Sequence, residues 1–236
     1  MPKIEKGVSA NTLKIIAIIV MFIDHFAWSF VSTASILGQV LHFIGRFTGP
    51  TMCYFIAEGY RHTRSEKKYL LRLGVFAIIS VIPFNFYNTG EISFNSMGMI
   101  YTLALGLTAI IAYEKISTTL LRNLAIGGLA LLSLFGDWQI FGVVMCLIFH
   151  IYHDDFKAQM IGMGINLAIL YLLTFSMRGI TPQIILGNVY HLGMLMPVFA
   201  LRFYNGQRGG NKWSGWFFYL FYPAHLLLLG WLKFYN

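Results

Sequence analysis

LKIIAIIVMFIDHFAWSF, residues 13–30, is apolar apart from Lys14 near its start and three polar residues, Asp24, His25 and Ser29, toward its end. As a helix over residues 12–32 at 1.5 Å per residue it spans about 30 Å, the thickness of a bilayer core. Apolar runs of this length recur along a chain that is 57% hydrophobic and only 11% charged. These features predict an all-α, polytopic membrane helical bundle. The first run passes through Asp24 to Trp28 and Phe30 without a small-residue cleavage site, so it reads as a retained helix and not a removable signal. No long polar block, linker or repeat interrupts the pattern, and residues 1–236 read as one integral membrane domain.

Segments bounded by charges or by Gly, Pro and Asn give about nine transmembrane helices, at 12–32, 36–62, 69–87, 97–113, 120–135, 137–153, 158–175, 184–202 and 214–233. The fifth and sixth are short enough to form a re-entrant hairpin instead. With the N-terminus cytoplasmic, fourteen Lys and Arg residues, Lys3, Lys6 and Lys212 among them, fall on the inner side and only Arg178 and Lys233 fall outside. The net charge of +8 is therefore a topology signal, and nucleic acid is not an expected partner. Cys53 and Cys146 both lie in apolar segments, where packing is the expected role.

Arg46 belongs to neither side. It lies about ten residues into the second helix, near the midplane, and Asp24 lies at a similar depth in the first. Charges at that depth face a bundle interior and are functional candidates, although an Asp24–Arg46 pair that only staples two helices has the same pattern. On the second helix His42, Arg46, Tyr54, Glu58, Arg61 and His62 recur at helical spacing and form a polar stripe, with Pro50 expected to kink the helix and Gly45 and Gly49 to permit close approach. A transport path would show the same stripe. Asn85, His191 and His225 lie in other apolar helices and are further lining candidates. Adjacent residues on a helix point about 100° apart, so Asp24 and His25 have different partners. Asp24 is expected to meet Arg46 or a histidine of another helix, and His25 to face the cavity as a general base. Ser29, one turn on, either binds an acceptor or satisfies the backbone. No Cys/His spacing marks a metal site, and none is expected; IFHIYHDD (148–155) reads as a solvated helix end.

LKIIAIIVMFIDHFAWSF, then HFIGRFTGPTMCYFIAEGYRHTRSEKKYLLRLGVFAIISVIPFN (42–85), then FYLFYPAHLLLLGWL (218–232) resemble the TraX family, the membrane acetylases of F-pilin. The last block also looks like the terminal helix of the broader membrane acyltransferases. The resemblance implies transfer of an acetyl group from cytoplasmic acetyl-CoA to an acceptor at the membrane or outer face. It places His25 at the favoured catalytic histidine and Arg46 at the required arginine.

Together these readings predict an acetyl-CoA-dependent membrane acyltransferase of the bacterial plasma (inner) membrane, multi-pass, whose partners are the bilayer, acetyl-CoA and an acceptor that is a peptide, sugar or small amine. His25, Asp24 and Arg46 are the expected catalytic group. His42, Tyr54, Glu58, Ser29, Asn85 and His225 are expected to line the site. The CoA phosphates are expected at Arg61, Arg64, Lys67, Lys68 and Arg72, which a plain positive-inside loop would equally explain. A proton-coupled transporter using the same buried acids and histidines is the alternative. A non-catalytic scaffold predicts a stripe filled by side chains.

Overall fold

A computed structural model describes residues 7–211 and 214–235. Lys3, Lys6 and Lys212, used above for orientation, lie outside the described residues. In chain order the α-helices are α1 (Ala10–Phe30), α2 (Ile36–Gly45), α3 (Thr48–His62), α4 (Glu66–Ile79), α5 (Val81–Thr89), α6 (Met99–Lys115), α7 (Thr119–Leu132), α8 (Gln139–Ile151), α9 (Phe156–Arg178), α10 (Pro182–Gly187), α11 (Met196–Leu201) and α12 (Ser214–Tyr235). Short 3-10 turns occupy Ser133–Phe135 and Val189–Leu195. The described residues are all-α with no strand, and their only bridges are the isolated pairs Val8–Tyr204 and Met97–Gly136. Five segments are long and apolar enough to cross a membrane: Ala10–Phe30, Glu66–Thr89, Phe156–Arg178, Pro182–Leu201 and Ser214–Tyr235. Thr119–Phe135 and Gln139–Ile151 are shorter apolar helices.

The expected single helix over 36–62, kinked at Pro50, is instead two helices, α2 and α3, separated at Arg46 and Phe47. Proline has no N–H to give to the carbonyl four residues back, and its ring crowds that carbonyl. For Pro50 that residue is Arg46, so the break lies upstream of the proline itself. The polar stripe is correspondingly divided, with His42 on α2 and Tyr54 and Glu58 on α3. The same displacement recurs at Pro83, four residues after Ile79, where α4 ends and α5 begins. Over 184–202 the chain winds as α10, a 3-10 turn and α11, with Pro197 in the first turn of α11. Pro223 differs, because α12 runs through it.

Contacts divide the chain into two compact units, Met1–Thr51 with Asp154–Phe218, and Met52–His153 with Tyr219–Asn236. In the first, α1 begins at Ser9, whose side chain accepts the Thr12 N–H, as an N-cap residue should. Leu13, Ala17, Met21, Asp24 and Ala27 are buried at spacings of three and four, while Ile15, Ile19, Phe26 and Phe30 stay exposed. Exposed apolar side chains of this kind suit lipid. α2 turns back on α1 after Ser35 caps it through the Gly38 N–H, and the Thr48 hydroxyl donates to the Ala17 carbonyl at 2.8 Å. The start of α1 is gripped by the segment after α11. Val8 N–H donates to Phe203 O, Ala10 N–H to Gln207 O and Asn11 N–H to Arg208 O, at 2.8 to 2.9 Å. These bonds satisfy donors that a helix N-terminus otherwise leaves open.

In the second unit α6 packs against α4, α7 and α8 and buries Met99, Leu103, Leu107 and Ile110. A Cβ on Gly106 would meet Cys146 Sγ at 2.5 Å, so close packing against α8 requires glycine there. Cys53 and Cys146 are both buried and unbridged. Tyr222 of α12 accepts the Met99 N–H at 2.9 Å.

Candidate functional site

The charged residues of α1 and α2 meet inside the first unit. Asp24 Oδ1 accepts a hydrogen bond from His42 Nδ1 at 2.7 Å, and Asp24 Oδ2 accepts one from Arg46 Nη2 at 3.2 Å. Asp24 therefore contacts both classes of partner expected of it, the arginine and a histidine of another helix. A carboxylate only accepts, so the bond puts a proton on His42 Nδ1, and the neutral ring then carries its lone pair on Nε2. His42 is wholly buried, the Asp24 side chain is 12% exposed and that of Arg46 14%. His42 Nε2 is buried and has no hydrogen-bond partner.

Helix spacing builds this arrangement. His42 and Arg46 are four residues apart and share one face of the α2 turn, as Asp24 and Trp28 do on α1. Gly45 lets the helices close, since a Cβ there would lie 2.3 Å from Asp24 Cβ. An aromatic wall surrounds the charges. The Trp28 and His42 rings lie 4.1 Å apart between centroids, and Tyr190 lies 5.6 Å from His42. The Arg46 guanidinium sits over Tyr190 at 5.2 Å and over Trp28 at 5.9 Å. Such rings stabilise a desolvated cation through their quadrupoles. The Tyr190 segment is held to α2 by Gln39, whose amide nitrogen donates to Gly187 O at 3.2 Å and whose oxygen accepts the Tyr190 N–H at 3.2 Å. A Cβ on Gly193 would lie 1.9 Å from the Phe43 carbonyl oxygen, so glycine is needed there too. His191 stacks near Tyr190 at 4.2 Å, with its Nδ1 buried and unpartnered.

The other sequence-derived candidates have distinct settings. His25 is half-buried and donates from Nδ1 to the Met21 carbonyl at 2.9 Å, a bond within its own helix. Ser29 donates to the His25 carbonyl at 3.1 Å, the backbone role weighed above. In the second unit, Tyr54 is buried edge-on to Phe149 at 5.5 Å, and Glu58 accepts from His62 one turn on at 3.2 Å. Asn85 is buried and commits its amide to the adjacent loop, donating to Val81 O and Ser96 O at 2.8 Å and accepting from Ser96 N–H and Oγ. His225 is buried, donates from Nδ1 to Phe221 O at 2.8 Å and stacks on the Phe221 ring at 4.9 Å.

Arg61, Arg64, Lys67, Lys68 and Arg72 are all exposed around the end of α3 and the start of α4. Arg72 lies over the Tyr69 and Tyr219 rings at 5.5 and 6.0 Å. Nearby in the same unit Lys115 donates to Glu66, and this bond raises the Lys115 pKa above its ordinary value. His150 Nε2 donates to Glu114 Oε1 at 2.6 Å. No group of three or more His, Cys, Asp or Glu among the described residues is arranged to hold a metal ion.

Trp28, Tyr190 and Gly193 were not singled out in the sequence. For Trp28 the available signal was its four-residue offset from Asp24. For Tyr190 and Gly193 nothing local marked them, because their contacts with α2 are long-range.

The TraX protein family profile matches residues 9–233. A relative from Dichelobacter nodosus, described as a probable fimbrial assembly protein FimC of serogroup H1, is 34% identical over 230 residues, which cover 94% of each chain. No solved structure matches.

Proposed function

This chain belongs to the TraX family, and on that premise we propose that it is an integral membrane acetyltransferase that moves an acetyl group from acetyl-CoA to an amine or hydroxyl acceptor, with the chemistry on α1 and α2. The observation that carries the reading is the Asp24 carboxylate held between the His42 imidazole and the Arg46 guanidinium among apolar helices. Acyl transfer needs a base for the nucleophile's proton and positive charge for the oxyanion that develops on the thioester carbonyl. A histidine supplies the first and Arg46 the second, and Arg46 acts in a low-dielectric setting where its charge counts for more than in water. His25 is the histidine whose position matches the family's first-helix residue. The exposed cations Arg61, Arg64, Lys67, Lys68 and Arg72 are the candidates for the donor's phosphates.

The relative's description as a fimbrial assembly protein supports a peptide acceptor of the pilin kind. Our reading places the protein in the bacterial inner membrane with about nine crossings and a cytoplasmic N-terminus, supported by the asymmetry of basic residues.

The test is binding and turnover of radiolabelled acetyl-CoA by detergent-purified protein, beside Arg46→Ala. Saturable binding with slow acetyl loss is expected, slowed by about 100-fold or more in Arg46→Ala. A folded wild-type protein that neither binds nor turns over acetyl-CoA removes the reading and makes proton-coupled transport the leading one.

A further inference from the structure

Position on α1 favours His25 as the base, but the bonding around Asp24 favours a different ring. We propose, resting on the acetyltransferase reading, that His42 is the residue that takes the acceptor's proton and that Asp24 is its positioning residue. Three observations carry this. Asp24 holds His42 Nδ1–H at 2.7 Å, which fixes both the tautomer and the ring plane. The nitrogen left with its lone pair, Nε2, is the one remote from the histidine's own backbone and therefore suited to reach a substrate. That nitrogen is buried with no partner, although leaving such a group unsatisfied is costly. An unsatisfied, oriented acceptor in an apolar setting is what a general base needs before substrate arrives. His25 differs, because its Nδ1 bond goes to the carbonyl one turn back on α1.

The step balances without a further reagent. The acceptor's nitrogen or oxygen lone pair forms a bond to the acetyl carbon, and the acceptor proton passes to His42 Nε2. The carbon–sulfur bond breaks, its electrons leave on the CoA sulfur, and the imidazolium returns the proton to that thiolate. Asp24 stabilises the imidazolium while it exists, and Arg46 holds the other carboxylate oxygen in place at 3.2 Å. Trp28 lies tilted against the His42 ring at 4.1 Å between centroids and is itself 41% exposed.

The experiment measures release of CoA thiol from acetyl-CoA by the full-length detergent-purified protein, with water and a short peptide bearing a free N-terminal amine as acceptors. Wild type is compared with His42→Gln, His42→Ala, His25→Gln and, as a control outside the site, His150→Gln. The expected result is a loss of about 100-fold or more in both His42 variants, with acetyl-CoA binding and the melting transition kept in His42→Gln. Added imidazole should restore part of the rate to His42→Ala, which a purely structural role would not permit. His25→Gln should fall by much less, and His150→Gln should match wild type. His42 variants that keep a rate within a few-fold of wild type overturn the assignment and return the role to His25, with the acetyltransferase reading intact. Wild-type protein that fails to release CoA thiol overturns that reading itself and the assignment with it.

Discussion

Among the described residues, two carboxylate–imidazole pairs of nearly equal length, both shorter than the 3.2 Å Glu58–His62 bond, lie one in each unit. Asp24–His42 spans 2.7 Å and Glu114–His150 spans 2.6 Å. In the first the imidazole is fully buried, the carboxylate is 12% exposed and Arg46 shares it. In the second the imidazole is 9% exposed but the carboxylate is 46% exposed, so water competes for it. They also use opposite ring nitrogens. His42 bonds through Nδ1 and keeps Nε2 open, whereas His150 bonds through Nε2 and keeps Nδ1, beside its own main chain. Bond length thus says little about what such a pair does; burial, the third charge and the identity of the open nitrogen decide it.

The sharpest way to break this comparison is to remove each carboxylate. Asp24→Ala strips the partner from a buried arginine and should cost about 3–5 kcal/mol of stability, read as a lowered melting temperature in detergent. Glu114→Ala should cost about 0–1 kcal/mol; equal losses for the two would dissolve the distinction. Gly45→Ala comes next, because its Cβ would drive α1 from α2 at Asp24. A destabilisation of about 1–3 kcal/mol, accompanied by loss of acetyl transfer, is expected, and an active, stable variant would mean that the helices do not need this approach. Gln39→Ala should be milder, about 1 kcal/mol, and should reduce turnover by loosening Tyr190. The smallest effect is that of salt. Raising ionic strength to 1 M shortens the screening length to about 3 Å, which should weaken the exposed Glu114–His150 and Glu66–Lys115 pairs and leave turnover at Asp24 unchanged when donor binding is saturated.

The helical nature of the chain was legible because apolar runs of bilayer length signal helices regardless of tertiary context. The meeting of Asp24 with Arg46 was legible as well, since each stood as a charge inside an apolar run and such charges seek a partner. The breaks were only half legible. Pro50 marked an interruption, whereas 69–87 read as one helix through Pro83; both breaks fall at the carbonyls those prolines cannot serve, four residues earlier. Pro223 shows that the residue alone does not decide the outcome. The choice of His42 as the partner of Asp24 depended on the register of α2 against α1, set by Gly45 and by Thr48 reaching Ala17. No local pattern encodes that register. Asn85 shows the opposite limit, because an amide in an apolar helix reads as a lining candidate, while its bonds tie down the loop at Ser96.

The grip of residues 203–208 on the start of α1 sets an order of assembly. Asn205 donates to Gly7 O from 198 residues away, so a ribosome has made α1 and α2 long before the segment that completes them emerges. Until then the first N–H groups of α1 lack the carbonyls of Gln207 and Arg208, and the charges at Asp24 and Arg46 lack the ring of Tyr190. A chain stalled before residue 190 would carry a half-built polar centre, with the Arg46 guanidinium missing one of the rings it sits over. Full-length synthesis, and not the insertion of α1, is the event that seals this unit.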